Sequence, residues 1–102
     1  PYVGLHRPKD YLRIGSQWFE ETLGIPRKEA KAAIRAAYLA YDAYKAEVRA
    51  AGERFIAQAR TEGRPILVLA GRPYHIDPEI NHGINELIGS FGFVVVSEDA
   101  VA

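Results

Sequence analysis

Apolar positions along the chain change period once. Up to residue 63 they recur at helical spacing, and from residue 64 they form two short continuous blocks with another helical pattern between them. In the first part, Tyr11, Ile14, Trp18 and Thr22, flanked by Leu12, Phe19 and Leu23, predict a helix that Pro8 opens at its first position. Gly15 inside that run costs about 1 kcal/mol against alanine, and Gly24 suits the left-handed residue that ends a helix. A second helix is predicted over residues 26–61, rich in Ala, Glu, Lys and Arg and stopped by Gly63.

The second helix carries a seam. Ile34, Tyr41, Val48 and Phe55 recur every seven residues, with Ala37, Tyr44 and Ala51 at the intervening positions. At ~1.5 Å per residue it would run roughly 50 Å, against a radius of gyration of ~13 Å for a compact domain of this size. It must therefore bend near Gly52, project, or pack on something outside the chain. The seam serves either as scaffold against the first helix and the sheet or as a homo-oligomer contact through residues 26–61. On this reading residues 1–63 are a helical scaffold.

Residues 64–102 read as a βαβ unit. Residues 66–70, ILVLA, and 93–96, FVVV, are apolar runs of the kind found in strands buried on both faces of a parallel sheet. Between them, Asp77 is the expected N-cap, Pro78 the first helical residue, and Ile80, Ile84, Leu87, Ile88 and Phe91 the face laid on the sheet. A helical crossover between two such strands makes them parallel neighbours with a right-handed connection. Two strands do not make a sheet that stands alone. The fold class expected is α/β, a partial Rossmann-like βαβ unit with parallel strands preceded by two helices, one very long, all within one larger α/β domain.

Composition narrows the chemistry. The formal net charge of +0 over 102 residues gives no field that steers the chain to nucleic acid, and no apolar run is long enough to span a membrane. The absence of cysteine removes disulfides, thiol nucleophiles and thiolate-held zinc or iron–sulfur clusters from what these residues do alone. Methionine is absent too and the chain opens on Pro1, which suggests a segment excised from a longer protein.

Ligands of open parallel sheets sit beyond the carboxyl ends of the strands. That rim would carry Gly71, Arg72, Pro73, Tyr74, His75 and Asp77 after the first strand and Ser97, Glu98 and Asp99 after the second. Arg72 can fork onto a carboxylate or phosphate, whether a ligand or Glu98 and Asp99. The start of the Pro78 helix, with Asn81 and His82 one turn in, would offer N–H groups and partial positive charge to an anion. Glu98 and Asp99 could accept from a ribose hydroxyl. His75, Asp77 and His82 are too loosely spaced to commit to a metal. No G-x-G-x-x-G or G-K-[ST] phosphate loop is present, and no nucleophile elbow supports a hydrolase built on His75 and Asp77.

The motif G-R-P-Y-H-x-D-P-E-x-N-x-G at residues 71–83 resembles that of the acyl-CoA dehydratase activase-related proteins, the 2-hydroxyglutaryl-CoA dehydratase activator and benzoyl-CoA reductase group. The resemblance implies a cytoplasmic, anaerobic system in which an ATP-hydrolysing activase passes an electron to an iron–sulfur enzyme acting on a CoA thioester. It implies a parent system using ATP and a 4Fe-4S cluster, with the parent's remaining domains as partners, and neither cofactor held by this non-catalytic segment. Gly71, Arg72, Tyr74, His75, Asp77, Asn81 and His82 are the candidate cofactor-binding positions. An interaction module without a small-molecule ligand is the alternative.

Overall fold

The computed structural model describes residues 2–72, 74 and 76–102. The chain forms two compact units, residues 1–44 and 45–102, and the division falls inside the long helix.

In the first unit, α1 (Pro8–Asp10) runs through a wide π-helical turn (Tyr11–Gly15) into α2 (Ser16–Leu23). The π-turn is where the expected single helix departs from regularity. A Cβ on Gly15 would sit 3.3 Å from the Tyr11 ring and 3.4 Å from Ile34 Cδ1, so α3 packs closely on that turn. Gly24, at φ 67, ends α2 as expected. The long helix α3 (Arg27–Thr61) follows Pro26, and its first half buries Ala30 and Ile34. Tyr38 stacks edge-on against Tyr11 with ring centroids 6.2 Å apart and donates its hydroxyl to the Leu5 carbonyl at 2.8 Å.

The heptad seam is only partly used. Ile34 is buried, but Ala37, Tyr41, Tyr44 and Phe55 are exposed, as is every residue from 39 to 47. Trp18 and Leu23, expected on the packed side of the first helix, are exposed as well.

In the second unit the rest of α3 buries Gly52 and Ala59. It ends in two crossed hydrogen bonds around left-handed Gly63: Arg64 N–H to the Ala59 carbonyl and Gly63 N–H to the Arg60 carbonyl. This is the closure a glycine makes easy. Strands β1 (Ile66–Leu69) and β2 (Val94–Ser97) are parallel, with Ile66 opposite Val94 and Leu69 opposite Ser97. Between them lies α4 (Ile84–Ser90), and after β2 a 3-10 turn (Glu98–Ala100). The Arg64 guanidinium donates to the Gly92 and Phe93 carbonyls at 3.0 and 3.2 Å, tying the base of β1 to that of β2.

Two expectations about this unit are corrected. The strands are not buried on both faces: Val68 is 45% exposed and only Val96 is fully buried, because two strands alone leave much of a parallel sheet uncovered. The helix does not run unbroken from Pro78 to Phe91, nor does it lay its apolar face on the sheet. Residues 78–81 make one turn, His82 and Gly83 take positive φ (54 and 73), and helix resumes at Ile84. Two consecutive left-handed residues turn the chain out of the helical path. Ile80, Ile84, Leu87 and Phe91 are exposed as a result, and Ile88 alone of that face is half-buried.

Candidate functional site

The parallel pairing brings the segment after β1 and the segment after β2 to one rim. A recess of about 60 Å³ there is lined by Leu69, Gly71, Arg72, Ile76, Ser97, Glu98 and Asp99. Its volume suits one small group, such as a phosphate or a ribose ring, and not a whole nucleotide. Of the candidate residues, Gly71 and Arg72 line it. Tyr74 is exposed and its carbonyl accepts from the Asp77 N–H at 3.3 Å. His75 and Pro73 lie outside the described residues.

Asp77 is a cap, as its sequence context indicates. Its Oδ1 accepts from the Glu79 N–H at 2.9 Å and the Ile80 N–H at 3.2 Å. What the structure changes is the helix expected to start at Pro78, which is here a single turn. The turn's free N–H groups already hold a carboxylate from the chain itself, and the helix that would have summed their dipoles is broken five residues later.

Asn81 is 5% exposed and works inward. Its Oδ1 accepts from the Gly83 N–H at 2.9 Å, and its Nδ2 donates to Asn85 Oδ1 at 2.8 Å. These bonds hold the left-handed pair His82–Gly83 between two turns, so Asn81 positions the loop. His82 is exposed. Sequence reasoning missed Ile76, which lines the recess, and Asn85, which accepts from Asn81; the Asn81/Asn85 spacing of four was the available signal.

The rim is mixed in sign, with one guanidinium and two carboxylates at the recess. Such a set suits a ligand that offers both an anion and hydroxyl donors, since a bare anion would meet Glu98 and Asp99 unfavourably. Among the described residues no cluster of His, Asp or Glu is arranged to hold a metal ion. No described helix is long and apolar enough to cross a membrane.

Comparison with known proteins gives one finding. The family model described as CoA enzyme activase uncharacterised domain matches residues 1–101. No curated protein and no solved structure matches the chain.

Proposed function

The chain belongs to the CoA enzyme activase uncharacterised domain family, and from that premise we propose that it is a non-catalytic α/β module of an activase-related protein. It contributes to the ATP-dependent reductive activation of a 2-hydroxyacyl-CoA dehydratase-type enzyme, in the cytoplasm and in anaerobic metabolism. With no cysteine and no G-K-[ST] loop, these residues do not fit an iron–sulfur cluster or a phosphate-loop ATP site. The 4Fe-4S cluster and the ATP chemistry of the system fall to the parent protein's other domains and its partner.

What this module offers is a docking rim for the phosphate-bearing end of CoA or a nucleotide. The supporting observation is the recess at the carboxyl ends of two parallel strands, where Arg72 stands beside Glu98 and Asp99. Arg72 takes a phosphate oxygen and the carboxylates take ribose hydroxyls. Gly71 keeps the approach open, Asp77 and Asn81 hold the loop, and Tyr74, His75 and His82 are the motif's remaining candidate positions. Titration calorimetry of the chain with CoA tests the reading. Arg72→Ala is expected to weaken binding by about tenfold or more, the scale of one charge-assisted hydrogen bond. Unchanged affinity in the variant, or no heat from wild type, contradicts it.

A second reading has its own support. Tyr41 and Tyr44, three apart on the seam face of α3, are exposed at 52 and 62%, and such a pair suits an assembly contact through residues 26–61. Light scattering separates the two readings: a strict monomer at high micromolar concentration removes the assembly role.

A further inference from the structure

The ladder between β1 and β2 fixes which backbone groups each strand leaves unused. The Val94 N–H donates to the Pro65 carbonyl at 2.9 Å, and Val94 stands opposite Ile66. In a parallel ladder this phase gives both backbone groups of Val94 and of Val96 to β1. Val95 therefore turns its N–H and C=O, and Ser97 its N–H, away from β1 and toward the outer edge of β2, while the Ser97 carbonyl opens the 3-10 turn Glu98–Ala100.

That edge is not flat surface. A groove of about 430 Å³ runs along it, walled by Phe55 and Gln58 of α3 and by Asn85 and Gly89 of α4. Of the strand residues it takes all of β2, together with Phe93, and only Leu69 of β1; Arg64, Ile76 and Asn81 also line it. Successive strand side chains point to opposite faces. A groove that meets every residue of one strand and a single residue of the other follows the edge of the first, not a face of the sheet.

We infer that this groove receives one extended strand, added to the outer edge of β2 by a polypeptide segment other than these 102 residues. The N–H and C=O of Val95 and the N–H of Ser97 dictate a strand as occupant, because only extended backbone returns donors and acceptors at that repeat. The walls dictate its side chains: apolar at the positions facing Phe55, small or polar at those facing Asn85 and Gly89. A second copy of this chain pairing β2 to β2 is disfavoured by the same walls. Its own β2 edge would be equally recessed, and two recessed edges do not close to the ~4.8 Å strand spacing. The inference goes beyond the proposed CoA rim: Ser97 lines both the groove and that recess, and Val95, which lines only the groove, tells the two apart.

The test is residue-resolved amide exchange by NMR on the 102-residue chain. Alone, Val94 and Val96 should be protected while Val95 and Ser97 exchange freely. The probe is a capped peptide, Lys-Thr-Val-Thr-Val-Thr-Val-Lys, with a control carrying proline at alternate positions. The probe is expected to slow Val95 and Ser97 by about tenfold or more, leaving Ile66 and Val68 on the outer edge of β1 unchanged, and the control is expected to do nothing. Three results overturn the inference. One is no slowing at the highest soluble peptide concentration. Another is equal slowing by the proline control. The third is protection of Val95 that appears without peptide as chain concentration rises, which would make a second copy the occupant.

Discussion

Gly15 and Gly52 are both buried, both helical, and one lies in each unit, yet they serve different kinds of packing. A Cβ on Gly15 would meet the ring of Tyr11 and the tip of Ile34, side chains that can give by a few tenths of an ångström. A Cβ on Gly52 would come within 2.8 Å of the Ala100 Cβ and closer still to the Ala100 carbonyl oxygen, which is main chain and cannot step aside. The first unit is thus assembled from side chains around helices. The second depends on main chain approaching main chain, at Gly52 and along the β1–β2 ladder. Regions held by side chains tolerate change by repacking, and regions held by backbone do not.

The largest test of that contrast is Gly52→Ala. Alanine should gain about 1 kcal/mol as the better helix former, yet the clash with Ala100 should turn the result into a net loss of about 1–3 kcal/mol, read by urea denaturation. A gain in stability would break the comparison. Gly15→Ala is the counterpart, expected to stay within about 1 kcal/mol of wild type because the helix gain and the side-chain adjustment oppose each other. A loss as large as that of Gly52→Ala would mean the two units are packed alike.

The smallest effect concerns the exposed end of α3. The Glu62 carboxyl is held below its ordinary range, first by the hydrogen bond from Gln58 at 2.7 Å, which outweighs the opposing desolvation that ranks next, and then by Arg64 at 3.5 Å. A carboxyl whose folded pKa is depressed adds stability above its unfolded pKa and loses it as pH falls through the folded value. Glu62→Gln should therefore flatten the acid limb of the stability–pH curve slightly and leave neutral pH nearly unchanged. A steeper acid limb in the variant would reverse the assignment.

The sequence exposes backbone-level order better than it exposes burial. Two apolar runs bounded by Pro65, Gly71 and Gly92 suffice to read parallel strands, and Gly63 and Gly24 mark helix ends because a left-handed residue there has few alternatives. Asp77 reads as a cap for the same local reason. The break at His82–Gly83 was poorly marked, since histidine and glycine before a helical run only weakly favour positive φ and Asn81 looks like an ordinary helical polar residue. The heptad seam misled in another way: periodicity states which residues share a face, not whether anything covers that face. The rim was legible as a place, at Gly71, Arg72, Ser97, Glu98 and Asp99. Its electrostatics were not, because the N–H groups expected for a ligand are taken by Asp77.

The central claim is that the second unit's strand rim, and not the first unit's apolar helices, meets the phosphate-bearing ligand. Amide chemical-shift mapping during a CoA titration tests it most directly. The account predicts saturable shifts at Gly71, Arg72, Ser97, Glu98 and Asp99, with residues 2–44 silent. Shifts gathered in the first unit, around Tyr11, Ile34 and Tyr38, with the rim unmoved, would contradict it.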